Sequence, residues 1–147
     1  VDVLTVSADS PPRVVGTLLA DADVVDAKGR AGRPKLLAGC QKSKTWLTLD
    51  AGVDSVNLVV TEAAGLDVPE TMVSLKTASG TDTQRLNVSK QVMANILFHG
   101  SDVDDVLASP TVEIAYYPFG ASTPVVARFT NVGVDALTAE MAARCRL

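Results

Sequence analysis

Cysteine, histidine, serine, clustered acids and glycine-rich loops carry most protein chemistry, and this chain offers few of them in productive spacing. Cys40 and Cys145 are the only cysteines and His99 the only histidine. The cysteines lie too far apart for a C-x-x-C redox or zinc motif, and a single histidine cannot complete a structural zinc set. A nucleophilic thiol needs a neighbouring base, whereas His99 sits in the unrelated segment Phe98-His99-Gly100 with no patterned Asp or Asn, and reads as a loop-edge histidine. Asp102, Asp104 and Asp105 cluster, but without EF-hand spacing or its distal Glu they read as the acidic first turn of a helix. The serines form neither a G-x-S-x-G elbow nor a supported S-x-x-K pair, although Ser43-Lys44 and Ser89-Lys90 occur as neighbours. Gly29 and Gly32 stand in K-G-R-A-G-R, which lacks the G-K-[ST] ending of a phosphate loop. The expectation is a protein that is not an enzyme, with no catalytic residue, no metal and no cofactor.

For the cysteines three readings remain: a disulfide, two buried thiols, or one reactive thiol. An even count near two element ends favours the Cys40–Cys145 bridge, which would imply an oxidising compartment. Two other features could make contacts. Lys28, Arg30, Arg33, Lys35, Lys42 and Lys44 form a run with no acid interleaved. Folded onto one side, these form a basic edge able to meet an acidic protein or an anionic wall polymer; otherwise they are solvated charges that discourage strand-edge pairing. Phe119, between Pro118 and Gly120, is placed at a hairpin tip, either as a contact residue or folded back on the core.

The elements that hold these residues read as mostly β. The alternating Val1–Ser7 segment is a strand stopped by Asp9-Ser10-Pro11-Pro12, and Arg13–Val25 leans to strand. Residues 28–35 read as an exposed loop. Residues 36–40 and 45–50 form a hairpin around Gln41-Lys42-Ser43-Lys44. Residues 56–60 are a strand, 65–70 a loop and 71–77 a strand that turns at 79–82 into a partner at 83–88. Residues 88–97 fit a helix or a broken strand pair. Ser101 caps a helix with Val103, Val106 and Leu107 inward and Pro110 beyond its end. Strands at 111–117 and 123–129 join through 118–122. Asp135 caps a last helix that turns Leu137, Met141 and Cys145 to the sheet, with Arg144 and Arg146 complementing its C-terminus.

With 147 residues, 47% hydrophobic and 20% charged, the chain fits one domain, 1–147, large enough for its own core. Aromatics at 4% make a stacked-ring sugar platform improbable, and a net charge of -4 disfavours nucleic acid and anionic membranes as partners. No apolar run is long enough to span a bilayer, and the Val1-Asp2-Val3-Leu4 start lacks signal-peptide features, as in a soluble mature form. The fold class expected is mainly β: an antiparallel sandwich or curled sheet with one or two short helices, the last tied to the sheet by the disulfide.

The C-terminal half, with Tyr116-Tyr117-Pro118-Phe119-Gly120, Pro124-Val125-Val126-Ala127-Arg128-Phe129, Gly133 to Leu137 and Cys145, resembles the VasI-type family of small exported proteins associated with bacterial type VI secretion, whose ending runs "PYG…P…A-x-F…G…AL…C". Upstream, Pro34 to Cys40 followed by Thr45-Trp46-Leu47-Thr48-Leu49 resembles that family's "P-x-L-x-x-x-C" strand pair, so the match covers roughly residues 14–147. The chain departs from it at Gly39, where the family often has Arg, and at Lys76-Thr77, where it has an Arg-Asp pair. The resemblance implies a periplasmic, disulfide-bonded accessory or adaptor protein that binds a protein partner in the bacterial envelope, and it supplies no catalytic residues. The alternative expectation is a periplasmic inhibitor of a cell-wall hydrolase such as a lysozyme, filling the enzyme's cleft with the 118–123 loop.

Overall fold

A computed structural model describes residues 2–63 and 66–145. Val1, Gly65 and Arg146, on which parts of the first strand, the 65–70 loop and the C-terminal charge reading fall, lie outside them.

Alternation of apolar and polar residues builds most of the structure. The strands are β1 (Val3–Val6), β2 (Arg13–Leu19), β3 (Val24–Val25), β4 (Ala31–Gly32), β5 (Lys35–Gln41), β6 (Lys44–Asp50), β7 (Val59–Ala63), β8 (Leu66–Thr77), β9 (Gly80–Val88), β10 (Asn95–Leu97), β11 (Thr111–Tyr116) and β12 (Val125–Thr130). Among the described residues there are two helices, α1 (Asp102–Leu107) and α2 (Val134–Arg144). One antiparallel sheet runs in the order β1-β2-β5-β6-β10-β9-β8-β11-β12, with β7 beside the first part of β8. β3 and β4 form a separate small hairpin.

The sheet is open and curls on itself. The chain just after β2 reaches the far edge strand, where the Asp21 backbone N–H donates to Arg128 O of β12 at 2.8 Å. Curling brings the inward residues of distant strands into one core. Val14 and Leu18, Leu36 and Ala38, Leu47 and Leu49, Leu86 and Ile96, and Ile114, Tyr116 and Phe129 are all buried in it. The Tyr116 hydroxyl satisfies itself within that core by donating to Ala51 O at 2.5 Å. Both helices turn apolar sides to the same interior, α1 with Val103 and Val106 and α2 with Leu137 and Met141. The Cys40–Cys145 disulfide joins the end of α2 to β5 across 105 positions of sequence.

Several local expectations change. The 65–70 loop is instead strand from Leu66 onward, because β8 continues past β9 to pair with β7, and Pro69 stands where β9 gives it no partner. The strand expected at 56–60 begins only at Val59; Val56 makes an isolated bridge to Pro118. The 36–50 hairpin turns on Lys42-Ser43 alone, since Gln41 pairs with Lys44, and Lys42 takes the left-handed φ of 55° that such a tight turn demands. The 28–35 loop contains β4, and the ambiguous 88–97 stretch is a turn followed by β10. Ser101 and Asp135 do not cap. Ser101 precedes α1 without a side-chain bond, and α2 starts from Gly133 at φ 73°, leaving Asp135 inside its first turn. The carbonyls at the end of α1 are taken instead by the Asn131 side-chain amide, which donates to Val106 O and Ser109 O.

Candidate functional site

Phe119 does not fold back on the core. It is 69% exposed at the tip of the β11–β12 connection. An exposed aromatic on a long loop is ordinarily mobile, but here Asn57 holds the backbone from both sides. Its side-chain amide donates to Ala121 O at 2.9 Å, and its Oδ1 accepts the Gly120 N–H at 2.7 Å. The Asn57 N–H donates to Tyr117 O at 2.9 Å, and the Phe119 N–H to Ser55 O at 3.0 Å. Asn57 is in turn fixed, because the buried Thr71 hydroxyl donates to its carbonyl at 2.6 Å and Val56 beside it is buried. Gly120 adopts φ 78°, a conformation that favours glycine and lets the chain reverse next to Phe119.

Beside the loop lies an open depression of about 440 Å³ bordered by Asp26, Lys28, Arg30, Asp54, Phe119 and Gly120. Arg30 spans it, with Nε 2.9 Å from Asp26 Oδ2 and Nη1 2.8 Å from Asp54 Oδ2. Two glycines permit that reach. A β-carbon on Gly32 would collide with Gly52 O at 1.7 Å, so the β4 backbone can lie against the 51–54 turn only without a side chain. Asp26 closes its own turn by accepting the backbone N–H groups of Lys28 and Arg30, each at 2.9 Å. Chiefly the Arg30 N–H holds its carboxyl below the usual carboxylate range, with the Lys28 N–H and the Arg30 guanidinium acting the same way against a smaller opposing effect of burial.

The basic run does not make a single edge. Arg30 is held by Asp26 and Asp54, and Arg33 pairs with Asp23 at 2.9 Å. Lys28 borders the depression. Lys35 opens β5, whereas Lys42 and Lys44 lie beyond its other end, about 20 Å away along seven extended residues. Of the residues singled out by type, the structure thus brings together Lys28, Arg30 and Phe119, separates Lys42 and Lys44 from them, and joins Cys40 to Cys145.

His99 is exposed between β10 and α1, and Asp102 and Asp105 accept hydrogen bonds from Gln84 and Ser79. Among the described residues no group of three or more His, Cys, Asp or Glu is placed to hold a metal. Asn57, Asp54 and Gly52 went unread as site residues. The legible signals were Gly52 and the Asp26-to-Gly29 turn pattern; nothing local marks Asn57, whose partners lie about sixty residues on.

Fold and site together define a β-rich, disulfide-tied domain that presents a rigid aromatic loop over a charged depression. No family model, no curated protein and no solved structure matches the chain. Among the described residues, no helix is long and apolar enough to cross a membrane.

Proposed function

We propose that this chain is a non-enzymatic accessory protein of the bacterial envelope, exported to the periplasm, that binds a protein partner through the Phe119 loop; its resemblance to the VasI-type family is what favours type VI secretion as the machine. The observation that carries this reading is the pairing of a 69% exposed Phe119 with a backbone already clamped by Asn57. Ordering a loop on binding costs free energy, and a loop fixed beforehand avoids that cost. Buried aromatic side chains dominate the energetics of interfaces, and Phe119 has its surface still to bury. Lys28 and the bridged Arg30 supply charge at the rim of the same surface. The Cys40–Cys145 bridge supports an oxidising compartment.

The test is capture from a periplasmic extract with oxidised protein as bait, against Phe119→Ala and a Lys28/Arg30 charge-reversed variant. Recovery of a secretion-system envelope component by the native bait, lost with Phe119→Ala, is the expected result. An unchanged set of captured proteins with both variants refutes the reading.

The projection of the same rigid loop favours one second reading, a plug for the cleft of a cell-wall hydrolase. Lysozyme activity measured with and without the protein separates the two, since the plug requires inhibition that Phe119→Ala removes.

A further inference from the structure

A second surface lies at the other end of β5 and involves none of the residues around Phe119. Trp46 of β6 faces outward from the sheet and lies across Gly39 of β5, its cross-strand partner. A β-carbon at Gly39 would stand 2.7 Å from the indole, so only glycine lets the ring rest on the strand. The Arg13 guanidinium lies over the same ring at 5.0 Å from its centre. Next to them is an open depression of about 520 Å³ bordered by Pro11, Gln41, Lys42, Ser43, Lys44 and Trp46. Its wall is fixed, because the Gln41 side-chain amide donates to Pro11 O at 3.1 Å and ties the β1–β2 connection to the β5–β6 turn.

The charges there are unbalanced. Arg13, Lys42 and Lys44 are all exposed and none forms an ion pair among the described residues; Lys28, Lys35, Arg85 and Lys90 are also unpaired, but only here do three such cations gather around one aromatic ring and depression. Lys42 is moreover the one non-glycine residue among those described with positive φ, at a turn position that favours Gly or Asn. A positive-φ position occupied by a lysine, beside two further unpaired cations in a chain of net charge -4, asks for a functional cause.

We infer that the Arg13–Trp46–Lys42–Lys44 corner is a docking site for an acidic peptide segment of a partner protein. Charge complementarity selects an anion. The state of the indole selects peptide over glycan: Gly39 and Arg13 already occupy ring surface that a sugar would need for stacking, leaving the ring edge and three cations to meet carboxylates and apolar stems.

Trp46 is the only tryptophan of the chain, so its emission reports on this site alone. The experiment titrates the oxidised full chain at low salt with a short Glu/Asp-rich peptide lacking aromatic residues. The same peptide with Gln/Asn in place of its acids, a uronate oligosaccharide and inorganic phosphate are run alongside. The site requires a saturable change in Trp46 emission with the acidic peptide only, weakened by added salt. The double variant Lys42→Gly/Lys44→Gln should raise Kd roughly tenfold, as expected for two lost charge contacts. Glycine relieves the turn at position 42, so loss of binding there is not a loss of fold, and a melting temperature no lower than that of the native chain checks this. Phe119→Ala should bind the peptide as the native chain does, which keeps this result separate from that of the Phe119 loop. No saturable change, an equal response to the uncharged peptide, an equal or tighter response to the uronate or to phosphate, or an unaltered Kd in the double variant each overturns the inference.

Discussion

Leu137 of α2 rests on Gly16 of β2: a β-carbon at position 16 would stand 2.6 Å from Leu137 Cδ2 and 2.9 Å from Cδ1. The absent side chain of β2 is the seat of the helix, and Val14 and Leu18 on the same face wall it in. Gly16→Ala must therefore displace the buried Leu137 side chain, or α2 with it, while the end of α2 is held by Cys145. The expected loss is about 1–3 kcal/mol, the usual cost of overpacking a core, read as a lowered denaturation midpoint. An unchanged midpoint would mean that Leu137 or α2 gives way without cost.

Reduction of Cys40–Cys145 should act mainly through the unfolded chain. The two cysteines are 105 positions apart, and restricting a loop of that length is worth about 4–5 kcal/mol in the chain-entropy description. Thermal unfolding with and without reductant, and of Cys40→Ser/Cys145→Ser, should show a large and equal drop. Hydrogen exchange in the reduced protein should rise first in α2, which the disulfide ties to the sheet.

Asn57→Ala removes both side-chain bonds to the 118–121 turn while leaving the buried Val56 and Thr71 in place. Stability should fall by about 1–3 kcal/mol, since the Gly120 N–H and Ala121 O lose their protein partner. Partner capture should fall as much as in Phe119→Ala even though Phe119 is intact, because ordering of the loop then has to accompany binding. Full capture by Asn57→Ala would show that the clamp is irrelevant to recognition.

Asp26 should titrate below an exposed aspartate when followed by carboxyl NMR. Because its folded pKa is depressed, chiefly by the Arg30 backbone N–H, its contribution to the 26–30 turn is complete above the ordinary aspartate range of about 3.9 and is lost only as pH falls through the lower folded value. At neutral pH the turn and its hold on Arg30 should be intact. A normal or raised pKa would contradict the hydrogen-bonded turn.

Tyr116 should resist ionisation in alkali. Burial first, and the nearby Asp50 charge second, push its pKa well above the ordinary tyrosine value. The neutral hydroxyl's contribution is fully present below about pH 10 and is lost as pH rises further, because the unfolded chain there releases the proton that the folded chain retains. Ultraviolet titration should show Tyr116 ionising only together with unfolding.

Period-two alternation at Val112, Ile114 and Tyr116, and at Ala127 and Phe129, is written within a few residues, so β11 and β12 and their inward faces were legible from sequence. The same holds for α2, where Leu137, Met141 and Cys145 recur at helical spacing and set the terminal cysteine against the sheet. The extension of β8 through Pro69 was not legible, because its partner β7 and not its own residues makes that stretch a strand. Nor were the capping roles: Asn131 serves α1 from beyond β12, while Ser101 and Asp135 have the right type in the wrong geometry. Local pattern, which depends on neighbours in the chain, determined the β class and the inward faces of the strands and of α2; for Cys40 and Cys145 it favoured a disulfide over free thiols, and the tertiary structure joins them. Strand pairing and the packing of loops on the sheet decided the rest, because the residues that meet are distant in sequence: Asn57 with Gly120, Arg30 with Asp54, and Arg13 over Trp46. The extended length of β5 splits the basic run between its two ends, and so makes two surfaces where the sequence shows one charge feature.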